Sequence, residues 1–460
     1  MSKWSSGPRS AVGATVALLV SGAMAMAGCS SAESGSSDVT VTVTSTVSFP
    51  GSGSENPSSP PSPSAGGRGT ESSQVGHPSG TAGAHTPAGP IPTVGDSGGP
   101  TPTSASTISP SPSGAPVVDT SKDTVVWDDN SMVPHLFFHS LVIDPKRAFS
   151  DHESGSGYLD YMITQSEFAK ILPQLYDNGY VLVSPHQLAT VQADGQVRPK
   201  ALKLPEGKKP LVISVDDVSY YEYMEGDGFA TDLFVAKDGR VLNHYTDAQG
   251  TTHEGSYDVM PMIDDFVREH PDFSHAGARG VVALTGYNGV LGYRSSPSEY
   301  AGKNPNLAKD IATAKAVAKA LKKEGWEFAS HSWGHINFTN SSLGTIQADT
   351  AKWKSDVQPI IGPTDMLIYP FGADISGVAH YRGAKFDYLK SQGYSFYFNV
   401  DGSVPAWGQW GEKYLREARA NVDGISMKAA IDGRKVLTEF FDVKSALDPA
   451  RPASISGSVS

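Results

Sequence analysis

Two short runs hold the residues best suited to chemistry. Asp216 and Asp217 follow the apolar run Leu211-Val-Ile-Ser-Val215, and His331-Ser-Trp-Gly-His335 follows Trp326-Glu-Phe-Ala-Ser330. In both, polar groups stand where a buried strand would end. Two adjacent carboxylates at such a place repel each other and lose hydration, and a nearby cation would relieve both problems. One Asp could bind the cation while the other accepts a proton from water. Neutral imidazoles are ordinary ligands for a divalent metal such as zinc. The combined set, three ligands and a spare base, is suited to metal-assisted hydrolysis.

Context gives these runs their weight. The chain has 13 His, so a His-x-x-x-His spacing alone says little. Here a strand precedes the pair, and Gly334 would permit a tight turn that aims both rings at one point. Asp-Asp also occurs at 128–129 and 264–265, but only the pair at 216–217 follows an apolar strand. A third run, Ile368-Tyr-Pro-Phe-Gly372, ends another apolar stretch; its Pro and Gly shape a loop that can present a backbone N–H to an oxyanion.

The elements that must position these runs can be read from periodicity. Val133–Phe138 reads as a buried strand ending at His139, and a helix with Phe168, Ile171, Leu172, Leu175 and Tyr176 on one face follows. Pro173 within that helix predicts a kink, and Gly179 ends it. Strands follow at 180–183 and 211–215. Residues 219–256 break the rhythm, with an Asp-Gly hairpin turn at Lys237–Arg240, and could form a rim or lid. Then come a helix at 258–270, a strand at 280–284, a helix at 309–324, a strand at 326–330, a helix at 343–360, a strand at 366–369, a helix at 384–392 and a strand at 395–400. This alternation predicts an α/β fold with a parallel sheet, open or closed into a barrel. A βα-barrel places catalytic groups at the carboxyl ends of its strands, where both runs and His139 fall.

The order Val-Asp-Asp, His-Ser-x-x-His, Tyr-Pro-Phe-Gly resembles the NodB-homology polysaccharide deacetylases, from about residue 125 to 445. The resemblance implies a distorted (β/α) barrel and a metal-dependent esterase that removes acetyl groups from N-acetylated glycans such as peptidoglycan or poly-N-acetylglucosamine. It implies that Asp217, His331 and His335 bind a divalent metal, usually zinc, that Asp216 is the general base, and that the Phe371 N–H donates to the oxyanion. The chain departs from the family in three ways. Ile368 stands where the family has an arginine, a charge that Arg419 could supply instead. The late Asp and Trp motif is echoed only by Asp401 and Trp407. The late acid His is missing, since only His380 follows His335; His139 is the substitute expected here. These departures leave two other readings open: a glycan-binding module without turnover, and an O-acetyl esterase.

The rest of the chain concerns address. Net charge is −12, with 36 Lys+Arg against 48 Asp+Glu and no basic stripe, which argues against nucleic-acid binding. The one cysteine, Cys29, excludes an intramolecular disulfide. It follows a positive start, an apolar middle and Met26-Ala-Gly28, an arrangement that resembles the lipobox of bacterial lipoproteins. The expected organisation is a signal peptide over 1–28, a lipid on Cys29, a disordered Ser/Gly/Pro/Thr-rich tether over 29–122, a catalytic domain over 123–448 and a disordered tail over 449–460. The expected location is the cell membrane, on its extracytoplasmic face.

Overall fold

The computed structural model describes residues 120–454; the expected signal peptide, Cys29 and all but the last residues of the expected tether lie outside that range. Among the described residues, no helix is long and apolar enough to cross a membrane.

The chain enters its sheet at β1 (His135–Phe138). Helix α1 (Gln165–Asp177), β2 (Tyr180–Leu182) and β3 (Lys209–Val215) follow. Strands β4 (Ala230–Val235), β5 (Val241–Thr246) and β6 (Thr252–Gly255) make a separate antiparallel sheet. Helices α2 (Val259–Glu269), α3 (Leu307–Glu324), α4 (Leu343–Asp356) and α5 (Ala384–Ser391) then alternate with β7 (Gly280–Leu284), β8 (Trp326–Ser330), β9 (Met366–Ile368) and β10 (Phe396–Val400). The chain closes through β11 (Trp407–Gly411), β12 (Tyr414–Asn421) and α6 (Gly424–Ile431).

Seven parallel strands form a closed barrel in the order β7, β8, β9, β10, β12, β1, β3, with β3 returning to β7. This is the expected (β/α) barrel. Strand β2 pairs with the start of β3 outside the ring, and β11 runs antiparallel on β12. Alternation along the strands divides the core in two. One set, including Val212, Val281, Ala283, Ala329, Ile368, Phe398 and Leu415, packs together as the barrel interior. The other, including Leu136, Phe138, Ile213, Val215 and Leu284, packs on helical residues such as Phe168, Ile171, Ile263, Val317 and Leu321. Capping fixes the helix ends. Thr164 and Glu167 form a capping box at α1, and Asp258 caps α2. Gly325 ends α3 in the left-handed region, where a side chain would collide with the Gly277 carbonyl.

Several expectations change in detail. Helix α1 continues through Pro173, which sits on its exposed side. The predicted helix at 343–360 is two, α4 and a short turn at Gln358–Ile361. Strand β12 was not expected at all, although it is a full member of the barrel. The β4–β6 sheet packs Leu233 and Val241 into the core beside α2 and α3, so it buttresses the barrel wall and leaves the rim to residues 219–229. The tail expected to be loose from 449 is held at Arg451, which bonds the buried Glu167 carboxylate and the Leu159 and Met162 carbonyls.

Candidate active site

Strands β3, β8 and β9 deliver the three chemical runs to the same end of the barrel. Asp217, His331 and His335 each offer one ligand atom, and these atoms lie within 4.8 Å of one another. His335 Nε2 is 3.7 Å from Asp217 Oδ2, and His331 Nε2 is 4.0 Å from Asp217 Oδ1. The backbone is strained to achieve this. Asp217, Ser332, His335 and Phe371 all have left-handed φ, between 52° and 60°, an unusual conformation for residues with a Cβ. The turn between the histidines does not use Gly334 for this purpose: Ser332 and His335 carry the positive φ. A side chain at Gly334 would instead press on the Asp349 carboxylate. Asp349, on α4, accepts from the Trp333 and Gly334 N–H groups at 2.8 and 2.7 Å and pins the turn.

The donor set suits a divalent metal. His331 Nδ1 lies 2.9 Å from the Ile368 carbonyl, so it carries the proton and Nε2 turns a lone pair toward Asp217. Burial pulls the His335 imidazole down to about 4 against the opposing pull of Asp217, which keeps that ring neutral as well. Burial would raise the Asp217 carboxyl, but His335 and His331 outweigh it and hold it below the usual range. The Tyr221 hydroxyl donates to Asp217 Oδ1 at 2.6 Å and fixes the carboxylate's orientation. One carboxylate and two imidazoles with an open fourth side is a zinc-like ligand set.

Asp216 is buried beside this set, with Oδ2 3.9 Å from His331 Nε2. Arg419, from β12, donates to both of its oxygens, at 2.7 and 2.8 Å. Burial alone would raise the Asp216 carboxyl; the Arg419 charge and its hydrogen bonds hold it well below the ordinary range. Ile368 therefore leaves no charge deficit, because the arginine arrives from another strand and packs over the Phe137 ring.

The other expected residues divide. Phe371 is 38 % exposed, and its ring meets the edge of His335 at 4.4 Å between centroids. Its loop needs Gly372, whose Cβ would lie 2.5 Å from that of Val400. His139 follows β1, stacks edge-on with Phe137 and lies within electrostatic reach of Asp216, Asp217 and His335. Asp401 instead bonds Ser403 in its own turn, and Trp407 lies under Arg416. His380 is bonded to Tyr414, away from the site. Asp349 was not anticipated, and Tyr221 was expected near the site only as an aromatic face for sugar, not as a donor to Asp217. Tyr221 stands only four residues after Asp217, a spacing that could have pointed to it; Asp349 carries no such signal.

A βα-barrel that gathers carboxylates and imidazoles at the carboxyl ends of its strands places them where such barrels hold their functional sites. Residues 300–396, which include the His run and the Pro370 loop, match the family model for polysaccharide deacetylase. That segment is thus similar to polysaccharide deacetylases of the NodB type. Among solved structures, the Streptococcus pyogenes deacetylase PplD in complex with acetate is 14 % identical over 68 % of this chain and 98 % of its own, with a TM-score of 0.37. A Mycobacterium smegmatis crystal structure described as a polysaccharide deacetylase is 11 % identical over 36 % of this chain and 45 % of its own, with a TM-score of 0.22. No curated protein matches the chain.

Proposed function

We propose that this protein is a metal-dependent deacetylase of an N-acetylated cell-wall or exported glycan, held at the outer face of the cell membrane by a lipid on Cys29. The observation that carries the reading is the joint geometry of Asp217, His331 and His335 around one point, with the Arg419-paired Asp216 beside them. A divalent cation held by those three residues, most simply zinc, would supply polarisation of the acetyl carbonyl and would make water more acidic.

The chain's own residues would do the rest. Asp216 is ionised and takes the proton from the attacking water. Arg419 keeps that carboxylate oriented and prevents it from collapsing onto Asp217. The Phe371 N–H faces the developing oxyanion from the strained Pro370 loop. His139, within electrostatic reach of Asp216, Asp217 and His335, is assigned the protonation of the leaving amine. Tyr223, about half exposed, stacks on Tyr221 and provides an aromatic face for a sugar ring at the rim.

The test is acetate release from purified glycans, with and without chelator. Release from chito-oligosaccharide or peptidoglycan that stops on chelation and returns with zinc is expected. Release only from acetylated xylan would move the reaction to O-acetyl esters. Metal binding without release from any glycan would leave a binding module.

A further inference from the structure

Below the carboxylate pair, the barrel interior holds a second polar layer that the reaction as described does not use. Ser214 precedes Asp216 by two residues on β3, Glu417 precedes Arg419 by two on β12, and His135 comes from β1 between them. All three are at most 1 % exposed. Their surroundings are apolar: Ala283, Ala329 and Ile368 line the interior, and Phe398 meets the His135 ring at 5.0 Å. Polar groups sealed in such a place persist only when bonded to each other.

They form one chain that ends on the base. Arg419 Nη1 donates to Ser214 Oγ at 3.1 Å as well as to Asp216. Ser214 Oγ is 2.9 Å from His135 Nε2, and His135 Nδ1 is 3.3 Å from Glu417 Oε2. Guanidinium only donates, so the contact with Arg419 makes Ser214 an acceptor there. The hydroxyl then has one proton to give, and His135 Nε2 is the partner it reaches. His135 must therefore carry its own proton on Nδ1, directed at Glu417. With Glu417 ionised and able only to accept, the opposite direction would leave the Ser214 proton without an acceptor and Glu417 without a donor. Burial and the Arg419 charge push the His135 imidazolium well down, and burial lifts the Glu417 carboxyl to about 8. His135 is thus uncharged at neutral pH, and with Glu417 ionised above about pH 8 the direction from Ser214 through His135 to Glu417 is the one that bonds every proton in the chain. Glu417 Oε1 has no partner among the described residues, so the chain stops there.

We propose that Ser214, His135 and Glu417 are positioning residues for the reaction: a directed hydrogen-bond chain from Arg419 through Ser214 and His135 to Glu417 holds the guanidinium flat against Asp216. The need arises in this chain because its arginine crosses from β12, while Ile368 fills the inward position on β9. The inference rests on the deacetylase reading for its kinetic consequence, but the chain's direction can be measured without turnover.

The experiment uses the full protein with zinc and an acetylated glycan. Ser214→Ala changes the core volume little; it is expected to lower kcat by about 10- to 100-fold, as loss of a supporting hydrogen bond does, with KM and bound zinc within twofold. Ser214→Thr restores a hydroxyl and should recover most of kcat. Glu417→Gln keeps the shape at the far end and should give a smaller loss. Nitrogen NMR of the His135 ring at pH 9, above the Glu417 value of about 8, should find a neutral imidazole protonated at Nδ1, and Ser214→Ala should remove that preference. A normal kcat in Ser214→Ala, equal losses in the Ala and Thr variants, or a His135 ring protonated at Nε2 would each overturn the proposal. A silent wild-type enzyme would sink the deacetylase reading together with the kinetic claim, whereas an active wild type with an unaffected Ser214→Ala sinks the chain alone.

Discussion

A histidine meets carboxylates at each end of strand β8, with opposite results. At the carboxyl end, His331 gives its Nδ1 proton to the Ile368 carbonyl and turns Nε2 toward Asp216 and Asp217 without closing on either. At the amino end, His186 lies between Glu327 of β8 and Asp365 just before β9, each 3.0 Å from one of its nitrogens. Burial would lower the His186 imidazolium, but its two carboxylate partners outweigh it and raise it to about 10. One ring keeps a lone pair available and the other spends both nitrogens on ion pairs. Residue type therefore does not separate a ligand from a brace; the partner of the second nitrogen does.

The contrast can be tested from its most sensitive element downward. His331→Ala or His335→Ala should remove bound metal and lower acetate release by about 10³-fold or more, corresponding to several kcal/mol of lost charge stabilisation. Elemental analysis beside the rate measurement checks this, and full metal content in either variant would end the assignment. Asp216→Asn should keep the metal and lose on the order of 10²- to 10⁴-fold in kcat, the usual span of a general base. Arg419→Met strands the buried Asp216 charge and should cost about 3–5 kcal/mol of stability, read by chemical denaturation. His186→Gln is the smallest change and tests the brace. Because the folded His186 is raised above its unfolded value near 6.5, its contribution is fully present below that pH. It is lost as the pH climbs toward about 10. The wild-type Tm should therefore decline across that window more than the variant's, with acetate release within twofold at pH 7. Parallel Tm profiles would remove the charged brace.

The sequence was most legible where period and chemistry agree locally. Strand β8 has the bounds predicted for it, and the His run follows directly, because Trp326, Phe328 and Ala329 between Gly325 and a polar turn permit few alternatives. Strand β12 was illegible for the opposite reason. Its inward face carries Glu417 and Arg419 and its outward face Arg416, so Tyr-Leu-Arg-Glu-Ala-Arg-Ala-Asn has no apolar alternation to read. Its charges are tolerated only through distant partners: Asp374 for Arg416, His135 for Glu417 and Asp216 for Arg419. The last pair is 203 residues apart in the chain. Local pattern cannot register such a pairing; the missing charge at Ile368 raised Arg419 as a substitute without locating its partner. The strained φ values at Ser332 and His335 were likewise hidden, since Gly334 was the residue expected to absorb the turn.

The central claim is that Asp217, His331 and His335 hold the metal on which deacetylation depends. The most direct measurement is a zinc titration of the metal-free protein while acetate release from an N-acetylated glycan is followed. The account predicts no release without metal and a linear rise that breaks at one equivalent, absent in His335→Ala. Undiminished release from metal-free protein, or an unchanged break point in His335→Ala, would contradict it.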